Sequence, residues 1–263
     1  MTKHHDWKLK LPHSEGFTRR QFLRAAAGVP LVLSQASAGH ATTLAVKPAA
    51  FDAKQDSVHI WLKGQGAGPV RLDYRIDSGA GDMTVGPTAN LSQSTDYCAT
   101  ISLTQLSEGK QWSYRIVDAE SGKPISEIGR FKTAPADPVP FTFAFSADMD
   151  ESYQPFKLFD VIGNKQPDFF LHLGDMIYAD LPWRRPFAPT VNHYRSKHAT
   201  NRKDPHLQNF FSQHVTYAIW DDHEIENDCH SLNPFMDNAL QVYKEYWPCN
   251  AVVPNALYRQ FSW

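Results

Sequence analysis

Cysteine is scarce: Cys98, Cys229 and Cys249 are the only three in 263 residues. Three thiols allow at most one intramolecular disulfide, which excludes a disulfide-stapled scaffold. No Cys-x-x-Cys spacing is present, which excludes the common structural zinc motifs. Neither sign of charge is in excess. The 26 Lys and Arg against 28 Asp and Glu leave a net charge of -2, so no basic field draws nucleic acid or an anionic membrane surface onto the chain. No apolar run reaches the roughly 20 residues a helix needs to cross a bilayer, and no internal repeat or low-complexity tract is visible. Aromatics and proline are plentiful, with 16 Phe, 10 Tyr, 7 Trp and 18 Pro. They favour a core rich in β-structure with many loops over a helical bundle. A 42% apolar and 21% charged composition excludes global disorder. The length admits one large domain or two ordinary ones.

Residues 1–40 read as an address, separate from the fold. Thr18-Arg19-Arg20-Gln21-Phe22-Leu23 carries a pair of arginines, a weakly apolar stretch follows from Ala25 to Leu33, and Ala36-Ser37-Ala38 offers a small-residue cleavage site. An amphipathic N-terminal helix with a chance arginine pair is the plain alternative. The order of charge, apolar run and cleavage site resembles a bacterial twin-arginine (Tat) signal. That implies handling by the Tat export machinery, a mature protein with no membrane span, and a periplasmic or secreted location. The Tat route carries folded proteins, often with a metal already loaded, which is a first hint of a metalloenzyme.

From residue 43 to residue 134 the chain alternates short β-like runs with turn residues. Val58–Leu62, Val70–Ile76, Tyr97–Leu103 and Trp112–Val117 are the runs, and Gly64, Gly66, Gly68, Gly79, Gly81, Gly86, Pro87 and Gly109 break them. This spacing predicts an all-β sandwich that resembles fibronectin-III or immunoglobulin domains. No cluster of acids, His or Cys lies in it, so a packing or positioning module is expected there. Residues 135–140, Pro-rich, read as a stiff linker.

After residue 140 the rhythm changes. Phe141–Ala147 is apolar at nearly every position, as expected of a buried central strand, and it ends in Asp148-Met149-Asp150. A helical stretch carries Phe156, Phe159, Val161 and Ile162. Asp168–Leu173 is a second apolar run, ending in Gly174-Asp175-Met176-Ile177-Tyr178. A helix capped by Asp204 with Pro205 in its first turn follows. Val215–Trp220 is a third run, ending in Asp221-Asp222-His223-Glu224. Alternation of this kind predicts a largely parallel sheet, with a site outside the carboxyl ends of its strands. Any one Asp at a strand end is as readily a turn former or a cap. Together the three loops predict that Asp148, Asp150, Asp175 and Asp222 converge. Carboxylates that close stay ionised only beside cations, and oxygen ligands suit Mn²⁺, Ca²⁺, Mg²⁺ or Fe³⁺. Two-metal sites commonly serve in-line displacement at phosphorus.

Two long motifs, Leu171-His172-Leu173-Gly174-Asp175-Met176-Ile177-Tyr178-Ala179-Asp180 and Trp220-Asp221-Asp222-His223-Glu224-Ile225-Glu226-Asn227-Asp228, resemble the calcineurin-like metallophosphatases and, within them, the PhoD-type alkaline phosphatases. Tyr194-Arg195, Asp204-Pro205 and Leu207-Gln208 fit the same family. The resemblance covers about residues 43–263. It implies that Asp175 bridges two metals, that Tyr178 ligates a ferric ion, that Asp222 ligates the second metal, and that His223 donates a hydrogen bond or proton to the phosphoryl group or leaving oxygen. A structural histidine is the alternative for His223. His172, inside an apolar run, reads as a satisfied core residue. By resemblance the metals are Fe³⁺ and Ca²⁺, with Mn²⁺, Mg²⁺ or Zn²⁺ as alternatives. Ser146-Ala147-Asp148-Met149-Asp150 departs from the family, which has a Ser-Cys pair there with the Cys on iron. Asp150 stands where the wider superfamily places a His. An all-oxygen first loop shifts metal preference away from iron.

The expected architecture is therefore an N-terminal fibronectin-III-like sandwich followed, over residues 141–263, by the N-terminal half of a partial α/β metallophosphatase domain. The superfamily's later His and Asp ligands have no counterpart here, and Tyr258–Trp263 reads as the start of a further strand. The expected function is an exported, metal-dependent phosphoesterase that hydrolyses phosphate monoesters or diesters by metal-activated water. A catalytically incomplete remnant acting as a binding module, and a phospholipase-type phosphodiesterase, are the alternatives. Spacing leaves open whether Cys229 and Cys249 pair.

Overall fold

Ten short strands carry the described part of the chain, and their order in space differs from their order in sequence. The computed structural model describes residues 42–77, 81–181, 189–249, 257 and 260–263. The arginine-pair segment, residues 1–40, lies outside the described residues. Strands β1 (Ala49–Phe51), β2 (Val58–Lys63), β5 (Cys98–Leu103), β8 (Phe143–Ser146), β9 (Phe169–His172) and β10 (Val215–Ala218) form one six-stranded sheet in the order β5-β2-β1-β10-β9-β8. Strands β3 (Gly68–Ile76), β4 (Thr84–Leu91), β6 (Gln111–Asp118) and β7 (Gly129–Lys132) form an antiparallel sheet in the order β4-β3-β6-β7. Four α-helices, α1 (Leu158–Gly163), α2 (Val191–Arg202), α3 (Pro205–Phe211) and α4 (Met236–Tyr246), and two short 3₁₀ turns, Gln93–Thr95 and Glu151–Tyr153, complete the described elements.

The sequence divides at residues 135–140, but the hydrogen bonding does not follow that division. β1 runs parallel to β10 with Phe51 opposite Thr216, and β1, β2 and β5 continue the sheet in antiparallel fashion. The two segments are further joined by Arg130 N–H to the Ser212 carbonyl (2.8 Å) and Asp52 N–H to the Thr216 carbonyl (3.1 Å). Residues Ala41–Trp263 accordingly cluster as one unit. Alternation along the strands explains the join. Ala50, Ile60, Leu62, Ile101, Phe169, Val215 and Tyr217 face the four-stranded sheet, whose Val70, Leu72, Trp112, Tyr114, Ile116 and Phe131 complete one core. The alternate residues Phe51, Trp61 and Phe170 face the helices and meet Phe159, Phe210, Phe211, Tyr243 and Trp247 in a second core.

β8 is a correction to the sequence reading. Its apolar run was expected at the centre of a sheet, yet it is the edge strand, and Phe143 and Phe145 are 49% and 62% exposed. They lie on the same face as Phe169, against which Phe143 stacks at 5.5 Å. The four-stranded sheet covers the other end of that face. Among the described residues nothing pairs with the outer edge of β8. Of Tyr258–Trp263, expected to open a strand, the first two residues lie outside the described ones and Gln260–Trp263 is irregular; the Phe261 ring lies flat on Tyr217 at 3.9 Å.

The helix cap read from the sequence is present. Asp204 accepts from the N–H groups of His206 and Leu207, both at 3.0 Å, and Pro205 occupies the first turn. α2 is anchored by Arg202, whose buried guanidinium lies within 5.1 Å of the rings of Phe51, Trp61, Phe211 and Trp247. It also donates to the Tyr246 carbonyl at 2.6 Å. Among the described residues no carboxylate pairs with it, and burial pushes its pKa down to about 9.

His172 is buried in the core, but it is not satisfied. Among the described residues neither ring nitrogen has a hydrogen-bond partner, and burial pushes its pKa down from 6.5 to about 3. The folded protein therefore refuses a proton that the unfolded chain accepts below pH 6.5. Stability falls as pH drops through that window, by at most about 1.4 kcal/mol per pH unit for this residue. We expect His172→Phe to flatten the loss of urea stability between pH 7 and pH 5 by about 2 kcal/mol. Identical slopes in the two proteins would contradict a buried neutral imidazole.

Candidate functional site

Three adjacent parallel strands bring three loops to one edge of the sheet. Ser146 and Ala218 both register with His172, so β8, β9 and β10 end level and the residues just beyond them meet. The loops are laced together by backbone: Met149 N–H donates to the Asp175 carbonyl (2.7 Å) and Ala179 N–H to the His223 carbonyl (3.0 Å). Gly174, at φ +107°, permits the closest approach. A Cβ there would lie 2.6 Å from the Cβ of Asp221 and 2.7 Å from its backbone nitrogen. Asp148 and Asp175 both take left-handed backbone conformations, at φ 60° and 53°, a region that Asp tolerates better than most residues.

The side chains converge on Asp175. Asp175, Asp222 and His223 each offer a ligand atom within 4.8 Å of the others. The Tyr178 hydroxyl bonds to Asp148 at 2.7 Å and to Asp175 at 3.3 Å, which ties the first loop to the second. Asp148, Asp175, Tyr178, Asp222 and His223 are thus brought together. Asp150 is not. Its carboxylate accepts from Ser152 N–H at 2.8 Å and caps the short 3₁₀ turn Glu151–Tyr153, the plain role that an Asp at a loop takes.

Burial pushes the Asp175 carboxyl up to about 6. The His223 charge opposes this, while Asp148 and Asp222 add to it. The like charges are thus poorly accommodated without a cation. Burial, and then the hydrogen bond to Asp148, pushes the Tyr178 phenol well above its ordinary range, so it stands as a neutral donor to two carboxylates. For His223, burial lowers the pKa, but the hydrogen bond and charge of Asp180 outweigh it and the net shift is upward. The Asp180 carboxylate, fully buried, receives His223 Nδ1 at 2.7 Å. With Nδ1 committed there, Nε2 is the nitrogen left for the cluster.

The sequence reading assigned no role to Asp180, Glu224 or Asn201. Glu224 is buried, and its carboxylate accepts from the N–H groups of Asp221 (2.8 Å), Asp175 (3.3 Å) and Met176. Burial pushes it up to about 8 despite those donors. Asn201 of α2, also buried, donates to the carbonyls of Met149 (2.6 Å) and Met176 (2.8 Å). Asp180 and Glu224 sat inside the two long motifs. Asn201 left no distinguishing signal, being one polar residue among many on a helix that buries only Tyr194, His198, Asn201 and Arg202.

Residues 143–263 match the family model described as PhoD-like phosphatase. This segment is similar to that family. Over 318 aligned positions the chain is 26% identical to alkaline phosphatase D of Bacillus subtilis (strain 168), covering 98% of this chain and 54% of that protein. A solved structure of PhoD superposes with a TM-score of 0.69 at 24% identity, covering 78% of this chain and 46% of that one. The chain therefore spans about half the length of the relatives it matches, and the structural likeness speaks to the fold.

The donor set fits a metal ion. The carboxylates of Asp175 and Asp222 suit a hard divalent cation, with the His223 imidazole beside them, and the mutual repulsion at Asp175 is relieved by one. Among the described residues this is a single three-residue group. Glu224→Ala would leave three converging N–H groups without their acceptor. We expect it to lower the unfolding free energy by about 3 kcal/mol and Mn²⁺ affinity by about tenfold or more, read by urea titration and calorimetry. Unchanged values would remove Glu224 from its organising role.

Proposed function

We propose that this chain is an exported, metal-dependent phosphoesterase of the PhoD type, acting on phosphate monoesters or diesters. The observation that carries the reading is the convergence of Asp175, Asp222 and His223 from two strand-end loops within 4.8 Å, with Asp148 tied in through Tyr178. The match of residues 143–263 to the phosphatase family supports it. Export is read from the arginine pair, apolar stretch and small residues in residues 1–40. No helix among the described residues is long and apolar enough to cross a membrane.

In this reading Asp175 and Asp222 hold a divalent or trivalent cation, with Asp148 and Tyr178 alongside. A bound cation supplies charge neutralisation for phosphoryl oxygens and acidifies water. His223, oriented by Asp180, presents Nε2 to the phosphoryl group and holds the proton that the leaving oxygen needs. Tyr178 donates to the carboxylates and fixes their direction. An all-oxygen first loop favours Mn²⁺, Ca²⁺ or Mg²⁺ over iron.

Calorimetry with Mn²⁺ and hydrolysis of 4-nitrophenyl phosphate and bis(4-nitrophenyl) phosphate test this together. We expect Mn²⁺ binding that Asp175→Asn weakens about tenfold or more. His223→Gln should leave Mn²⁺ affinity within a few-fold while lowering turnover by about 10²-fold or more. Tight Mn²⁺ binding without turnover would favour a non-catalytic remnant. Mn²⁺ affinity indifferent to Asp175→Asn would overturn the site.

A further inference from the structure

We propose that the cavity beside Asp222 is a subsite for an apolar leaving group. The inference rests on the phosphoesterase reading and names the class of ester that site takes. A cavity of about 550 Å³ opens next to the cluster, walled by Ile219, Trp220, Met236, Leu240 and Leu257 with Asp222 at its edge. That volume lies within the range of small-molecule sites, which are mostly apolar with a few fixed polar groups.

The chain itself links the two halves of the site. Ile219 and Trp220 leave β10 and line the apolar wall, and Asp222, two residues on, belongs to the acidic group. A group bonded to a phosphoryl oxygen held at Asp222 has this cavity next to it. The wall is firm: the Trp220 ring packs on the fully buried Tyr243 of α4 at 5.7 Å, and the same helix supplies Met236 and Leu240. A second cavity of about 200 Å³ shares Ile219 and Leu257 with the first, so the apolar surface continues along the sheet.

Charge sets the other limit. Asp221 and Asp222 line the cavity together with Ser231 and His230, and two carboxylates against one histidine make it less hospitable to an anionic leaving group than to a neutral one. A neutral apolar alcohol meets no such repulsion and removes the apolar wall from water. Alkyl and aryl alcohols share this chemistry.

Methylphosphonate, octylphosphonate and 1-naphthylphosphonate share a head group and differ in the part that would fill the cavity. Calorimetry with each, on Mn²⁺-loaded protein, separates the outcomes. We expect the octyl or the naphthyl compound to bind about tenfold or more tighter than methylphosphonate, the tighter of the two identifying an alkyl or an aryl group. Leu240→Asn and, independently, Met236→Gln should narrow that ratio about threefold while leaving methylphosphonate affinity unchanged. Equal affinity for all three would overturn the subsite and leave the phosphoesterase reading standing. Absence of binding by any phosphonate, with Mn²⁺ bound, would overturn both.

Discussion

The Glu224 carboxylate sits where the N–H groups of Asp221, Asp175 and Met176 converge, and the geometry of the acidic cluster depends on that convergence. Parallel pairing of β8, β9 and β10 brings the loops to one edge. Pairing alone leaves each loop free to choose its own path. Glu224 removes that freedom for the second and third loops from below, and Asn201 removes it for the first and second from the side. Both groups are buried, where an unmet donor or acceptor is expensive, so the arrangement is held against the repulsion among Asp148, Asp175 and Asp222.

Much of the site was legible because it is local. Each acid follows an apolar run within a few residues, and the rule that α/β sites form beyond strand carboxyl ends pointed to Asp148, Asp150, Asp175 and Asp222, while Tyr178 and His223 were singled out by the resemblance of the two long motifs. Asp150 was misjudged because a sequence does not distinguish an acid that caps a turn from one that faces a cleft. The same residue type serves both, and Ser152 N–H decided the matter. Asn201 was missed for the opposite reason. It reaches the loops from 52 and 25 residues away in sequence, and only the docking of α2 through Arg202 brings it there.

The fold was legible strand by strand and less so in its assembly. Alternation identified β2, β3, β5 and β6, and turn residues marked their ends. Which strands neighbour one another is a long-range choice that alternation does not encode. β1, with Ala49, Ala50 and Phe51 all buried, joins the N-terminal strands to β10 through one register pair and its flanking hydrogen bond. An all-apolar run such as Phe141–Ala147 reads as central whether or not something covers it. Here Phe143 and Phe145 continue a core face beyond the reach of the four-stranded sheet.

The account turns on one physical claim, that the three carboxylate-bearing loops hold their shape around a cation. Anomalous diffraction from crystals grown with Mn²⁺ tests it most directly. The account predicts a Mn²⁺ peak in contact with the carboxylates of both Asp175 and Asp222, with His223 still paired to Asp180 and Glu224 still receiving its three N–H groups. A peak elsewhere on the molecule, or no peak with the cluster unchanged, would contradict it.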